Sequence, residues 1–150
     1  MSYKFTFHTR WADFDANRHL RHSAYNDYAA ECRVRFFNDN GLNIDIFQEK
    51  RFGPILFSEE TKFLKEVPMG EDITVELFLE GCSSKGERFK FYHRLYRQDG
   101  QLAAEIRVYG AWIDVDKRRL TVPPAEVMSV FNSLMKTDNF ENITPARGQS

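Results

Sequence analysis

Between Arg10 and Tyr25 the sequence collects Arg10, Asp13, Asp15, Asn17, His19, His22 and Tyr25. The segment joins a strand-like stretch to the start of a helical one. That junction has chemical use. The first turn of an α-helix presents unpaired N–H donors and a partial positive charge of about half a unit. Such donors polarise a carbonyl and hold the oxyanion it becomes. A carboxylate a few residues upstream can attack that carbonyl or activate a water to do so. Acyl transfer needs those two parts. Two other readings of the same residues stay open. Asp and Asn ahead of a helix often serve only as caps and turn formers. Asp13, Asp15, His19 and His22 are also metal-ligand types, although their spacing matches no standard zinc or calcium signature and no second ligand cluster stands out elsewhere.

The elements that must position these groups follow from periodicity. Tyr3, Phe5 and Phe7 alternate with polar residues, the period of a half-buried strand. The Asp/Asn-rich stretch Asp13 to Asn17 breaks it as a loop. From Ser23 to Asn40 the apolar positions Tyr25, Tyr28, Ala29, Cys32, Phe36 and Phe37 recur at helical spacing, with Ser23 as candidate N-cap and Asn40-Gly41 as the stop. A shorter helical turn is expected over Ile44 to Lys50. After Gly53-Pro54 the chain reads as strands: Ile55 to Glu66, then Ile73 onward, Phe89 to Leu95 and Leu102 to Val115, separated by turns at Pro68-Asp72, Ser83-Gly86 and Asp99-Gly100. Ala125 to Met135 reads as a short closing helix, so the domain is expected to end near residue 135, leaving a polar, mobile tail over 136–150. One amphipathic helix of about five turns cannot be buried alone. It must cross the apolar face of the sheet, which gives a two-layer α+β domain. The outward face of that sheet carries Glu76, Lys90 and Arg107 with Phe78, Tyr92 and Tyr109, and exposed aromatics there suggest a partner subunit.

Composition narrows the classes. The 150 residues fit one domain, and 42% hydrophobic with 29% charged content predicts a folded chain. Fourteen Phe, six Tyr and two Trp imply either a Phe-rich core or a pocket for apolar ligands. The net charge of −1 supplies no field toward nucleic acid or membrane, so neither is expected as a partner. The N-terminal residues show no signal peptide and no transmembrane run, and a cytoplasmic location is the expectation. Cys32 lies on the buried helical stripe and reads as core; with Cys82 it makes two free thiols. His8 is expected at the sheet rim and His93 on a strand face toward the helix. No serine sits in a nucleophile elbow and no Gly-rich phosphate loop occurs.

The run Arg10-Trp-Ala-Asp13-Phe-Asp15-Ala-Asn17-Arg-His19-Leu-Arg-His22-Ser-Ala-Tyr25 resembles the signature of the 4-hydroxybenzoyl-CoA thioesterase / acyl-CoA thioesterase family. Asp15-Ala-Asn17-Arg-His19 is also similar to the motif of acyl-ACP thioesterases. Arg18 stands where the family's usual glycine precedes the histidine, and His22 where an asparagine is often found. The resemblance implies a hot-dog fold, an antiparallel β-sheet wrapped around one long central α-helix. It implies an acyl-CoA thioesterase, with acyl-ACP as the less favoured carrier and water as the sole co-substrate, without metal or organic cofactor. By position it gives Asp15 as nucleophile or general base, Asn17 and His19 as its support or as water-orienting groups, a backbone N–H at or beside His22 as oxyanion donor, and Tyr25 as a positioning residue. It further implies a homodimer or homotetramer with sites at the subunit interface. Glu59 or Glu60 could then reach a neighbouring site as a second, water-positioning carboxylate, set against the plain reading of solvent-facing glutamates beside Lys62. A hot-dog hydratase or dehydratase built on His19 and an aspartate, and a non-catalytic acyl-CoA-binding module, are the alternatives.

Overall fold

The computed structural model describes residues 2–144. Strand β1 (Tyr3–Phe7) leads through a single 3-10 turn (Trp11–Asp13) to the long helix α1 (His22–Asp39) and the short α2 (Ile44–Lys50). Four long strands follow: β2 (Phe52–Phe63), β3 (Ile73–Cys82), β4 (Arg88–Tyr96) and β5 (Leu102–Asp114). Strand β6 (Arg119–Leu120), helix α3 (Ala125–Ser133) and strand β7 (Lys136–Asn142) close the chain. The sheet runs β1-β3-β4-β5-β2, with β6 on β5 and β7 on β3. All these pairings are antiparallel except β3 with β7.

Period-2 alternation sends Ile73, Val75, Leu77 and Leu79, then Phe89, Phe91, His93 and Leu95, to one buried face. Helix α1 crosses that face with Ala24, Tyr25, Tyr28, Ala29, Cys32, Phe36 and Phe37 inward. The architecture is the hot-dog α+β fold. Most of the phenylalanines are core. Phe37, Phe47, Phe52, Phe89, Phe91, Phe131 and Trp112 form one aromatic cluster, with ring centroids 5.1–6.4 Å apart across it. Their spacing and mostly tilted or edge-on geometry are those aromatic quadrupoles favour.

Several boundaries differ from the sequence reading. Strand β2 begins three residues early, because Gly53-Pro54 lies within an edge strand, where proline costs no ladder bond on the solvent side. Ser23 does not cap α1. The N-cap is Arg21, which makes no side-chain cap bond, and the Ser23 hydroxyl instead accepts from the Arg21 guanidinium. The stretch expected as a mobile tail from residue 136 forms β7 as far as Asn142; residues 145–150 lie outside the described ones. The outward aromatics are not bare. Tyr92 is buried, with Arg94 and Arg107 stacked against its ring, and Arg94 also covers Phe78.

Close approach fixes one glycine. A Cβ on Gly110 of β5 would stand 2.2 Å from the Ile55 carbonyl oxygen and 2.8 Å from the Phe89 ring. Gly110→Ala should therefore destabilise the fold by about 1–3 kcal/mol through overpacking. Urea unfolding checks this through a lowered midpoint at unchanged slope.

Candidate functional site

The loop between β1 and α1 is held by Asp13. Its carboxylate is almost fully buried and accepts from Arg10 Nη2 at 2.8 Å and from the Tyr28 hydroxyl, with Arg21 Nη2 3.5 Å away. The Arg21 N–H donates to the Asp13 carbonyl at 2.8 Å and Arg21 Nε to the Ala12 carbonyl at 3.0 Å. The Arg10 hydrogen bonds hold the Asp13 carboxyl down at about 2, against the opposing effect of burial, with the Tyr28 bond helping. Burial, then the Asp13 carboxylate, pushes the Tyr28 phenol up to about 12.

Two residues further on, Asp15 points out of this clamp. Its Oδ1 accepts the N–H of Asn17 at 2.9 Å and of His19 at 3.2 Å. Oδ2 has no partner among the described residues. The turn closes through Arg18 N–H to the Asp15 carbonyl and Asp15 N–H to the His19 carbonyl, both 3.0 Å. Arg18 completes it at φ 63°, the left-handed region that glycine enters without strain. The backbone turn is thus made with an arginine where the resembling family has glycine. The Leu20 N–H to the Val67 carbonyl and the Met69 N–H to the Arg18 carbonyl, both 2.9 Å, fasten the loop to the segment after β2.

Helix α1 starts at His22 with no side-chain cap. The N–H groups of His22 and Ser23 donate to no acceptor among the described residues, so the positive end of the helix dipole is left open. The His22 side chain itself is exposed.

Asp15, Asn17, His19, His22 and Tyr25 come together in one cleft of ≈ 320 Å³, closed on the far side by Phe63, Lys65 and Glu66. Tyr25 is buried, its ring edge-on to Phe63 at 5.1 Å. His19 Nε2 lies 3.1 Å from Glu66 Oε2. Glu66 escaped the sequence reading; only its position at the end of an extended segment could have marked it. Asn17 and His19 also border a second, neighbouring cleft of ≈ 760 Å³ with Trp11, Arg18, Pro68 and Met69. Glu59 and Glu60 lie outside both. Glu59 shares the helix-facing side of β2 with Thr61, whose hydroxyl donates to Asn26 of α1 at 3.0 Å. Glu60 is on the opposite side, across from Arg107. Among the described residues no three His, Cys, Asp or Glu side chains converge as metal ligands, and no helix is long and apolar enough to cross a membrane.

The model of the thioesterase-like superfamily matches residues 9–131. The chain belongs to that superfamily. Solved structures of the same fold include a hypothetical protein of Staphylococcus aureus in complex with CoA, with TM-score 0.84 and 22% identity over 98% of this chain and 90% of that one. A 1,4-dihydroxy-2-naphthoyl-CoA thioesterase from Synechocystis aligns with TM-score 0.79 and 15% identity over 89% of this chain and 98% of that one. A DHNA-CoA thioesterase from Staphylococcus aureus aligns with TM-score 0.80 and 13% identity, covering 88% of this chain and 89% of that one. The search of curated proteins returned no match. The match begins just after β1.

The Asp13 clamp makes a pH-dependent prediction. The folded carboxyl titrates below its ordinary value of 3.8, so its stabilising effect is complete above pH ~4 and is lost as pH falls through about 2. Asp13→Asn should cost about 1–3 kcal/mol at neutral pH. Thermal unfolding between pH 7 and 2 should show the gap between the two proteins closing only in the acid limb.

Proposed function

We propose that the protein hydrolyses an acyl-CoA thioester to the free acid and CoA. The observation that carries this is a cleft that holds a carboxylate with a free oxygen together with His22, the first residue of α1, where the helix N–H groups are unpaired. The thioester carbonyl oxygen would lie on the N–H groups of His22 and Ser23, which strengthen their hold as negative charge develops there. Asp15 Oδ2 then either attacks the carbonyl carbon or takes a proton from a water that does. In the first route the C–S bond breaks to leave a mixed anhydride on Asp15, which water then hydrolyses to the free acid; in the second the C–S bond breaks to give the acid directly. In both the CoA thiolate leaves and takes up a proton that comes from the water, the only other reactant. Asn17 and His19 hold Asp15 Oδ1 through their backbone N–H groups, which aims Oδ2 into the cleft. Tyr25 shapes the wall by packing.

The neighbouring cleft supports CoA as the carrier rather than ACP. It offers a cation, Arg18, and an indole, Trp11, that is 85% exposed, the chemistry suited to a phosphorylated nucleoside. The S. aureus protein of the same fold, solved in complex with CoA, supports the same reading. A hydratase would need His19 paired with an aspartate, whereas the His19 ring is beside Glu66, which disfavours that reading.

The test is release of thiol from a panel of acyl-CoAs, followed with a thiol reagent. Asp15→Asn should lower kcat by a hundredfold or more, the scale of a lost base or nucleophile, with the fold retained. Undiminished turnover would sink the role of Asp15, and binding without thiol release in the wild type would make the chain a binding module.

The quaternary reading is a homodimer, or a pair of dimers, built on β2. That strand is at the end of the sheet, and its outer edge is unpaired among the described residues. Around it Leu56, Phe57, Phe63 and Leu64 are exposed, an edge that a second copy would cover. Phe57→Lys with Leu64→Lys should shift the mass in sedimentation equilibrium toward the monomer; an unchanged mass would move the interface elsewhere.

A further inference from the structure

A mainly apolar cavity lies apart from the Asp15 cleft. It occupies ≈ 680 Å³ against the C-terminal half of α1, between Ala30, Arg33, Val34 and Phe37 on one side and α2 with the start of β2 on the other. From His22 to Arg33 the helix rises about 16 Å, so the two sites are at opposite ends of α1. The walls are mainly hydrocarbon and aromatic, Phe37, Phe47, Phe89 and Phe91 among them, with Asn38 and Asn43 at the helix end. One lining group carries a charge: the Arg33 guanidinium.

Its surroundings fix its state. His93 is fully buried, and its Nδ1 lies 2.9 Å from the Ile106 carbonyl oxygen, which can only accept. Nδ1 is therefore the protonated nitrogen and Nε2 the acceptor. Nε2 receives Arg33 Nη1 at 3.0 Å, and a guanidinium can only donate. Burial first, then the Arg33 cation, holds the His93 imidazole down at about 3, so it stays neutral and supplies no charge. Among the described residues no carboxylate comes within ion-pair distance of Arg33. Glu59 is the acidic group acting on it most strongly, from beyond that distance, while burial pulls the Arg33 pKa below its ordinary value. The cavity thus presents a partly desolvated cation, oriented by a neutral histidine, with most of its donors unspent.

We infer that this cavity binds an apolar organic acid, its hydrocarbon or aryl body among Phe37, Phe47, Phe89 and Phe91 and its carboxylate on the Arg33 guanidinium. A carboxylate matches the planar fork of the guanidinium and provides the missing counter-charge. An alcohol of the same shape provides neither. The acid could be free in solution or the far end of an acyl group, and the recognition chemistry is the same. The binding itself does not rest on the hydrolysis proposed above.

Calorimetric titration of the whole protein with octanoate and octanol, and with phenylbutanoate and phenylbutanol, tests it without any turnover. Each acid should bind at least tenfold more tightly than its alcohol, the scale of a desolvated charge pair. Arg33→Gln should bring the ratio near one, Arg33→Lys should keep a preference for the acid, and Glu59→Gln should tighten acid binding by removing the nearest competing charge. Melting curves of the variants establish that each is folded, and Arg33→Lys carries the test if Arg33→Gln is not. Competition of the acid against acyl-CoA hydrolysis would assign the site to the acyl end, and inhibition or activation without competition to a free acid. Equal binding of acid and alcohol, an acid preference that survives Arg33→Gln, or no binding of any probe because a second copy fills the cavity would overturn the inference.

Discussion

Asp13 sits buried at the head of α1, and donors from three places converge on it: Arg10 before the 3-10 turn, Arg21 at the N-cap, and Tyr28 from the second turn of the helix. Removing any one of them would leave a carboxylate in low dielectric with fewer partners, which is costly. The clamp therefore sets how the loop meets the helix. It has a second effect. The Asp13 carboxylate is spent on Arg10 and Tyr28, and the N-cap position is held by an arginine whose side chain cannot accept. The N–H groups of His22 and Ser23 stay free, while that of Ala24 turns back to the Arg21 carbonyl. A Ser, Thr or Asp at position 21 could accept the Ser23 N–H and remove one of the two donors on which the proposed chemistry depends.

Asp15 is the complement of Asp13. The two carboxylates are separated by one residue, and in sequence they are nearly interchangeable. The turn of Asp15 to Arg18 puts one inside and one out. Asp15 Oδ1 is committed to two backbone N–H groups while Oδ2 is left without a partner among the described residues, on a residue that lines the cleft. The positive φ of Arg18 closes that turn without a glycine. A non-glycine residue in that region costs of order 1 kcal/mol. The surrounding anchors, Leu20 to Val67 and Met69 to Arg18, are what over-determine it.

The strands and α1 were legible because their burial is one-sided: alternation at β3 and β4 and the helical stripe from Tyr25 to Phe37 record directly which side meets the core. Three features were not legible, each because the deciding partner is remote in sequence. Strand β7 has little alternation of its own, and its conformation is imposed by the open edge of β3 beyond β1. The outer-face aromatics looked bare because stacking by Arg94 and Arg107 depends on cross-strand register. Glu66 looked like any glutamate, and only the pairing of residues 18–20 with 67–69 brings it to the His19 ring. Within the candidate site, residue types gave the cluster from Asp15 to Tyr25. They could not say that Asp13 is structural, since that depends on burial, nor separate Glu59 from Glu60 until the pairing of β2 with β5 put them on opposite faces.

His93 was legible as a strand residue turned toward the helix, but its partner was not. The pairing with Arg33 is hard to explain by folding alone. Two apolar side chains of similar volume would pack at that place without desolvating a charge, and such replacements are commonly neutral or stabilising. The histidine gives the arginine no counter-charge, only direction: its tautomer is set by the Ile106 carbonyl, and its remaining lone pair fixes one edge of the guanidinium. Direction matters only if the other edges have something to meet. The walls around them are mainly apolar, and Glu59, the acidic group acting on Arg33 most strongly, is beyond ion-pair distance. A cation partly withdrawn from water, aimed and unneutralised in this way is an arrangement for an anion that arrives from outside the fold. Such an anion must carry enough hydrocarbon to enter a Phe-lined cavity, which separates it from inorganic ions and makes an apolar acid the class that fits both halves of the site.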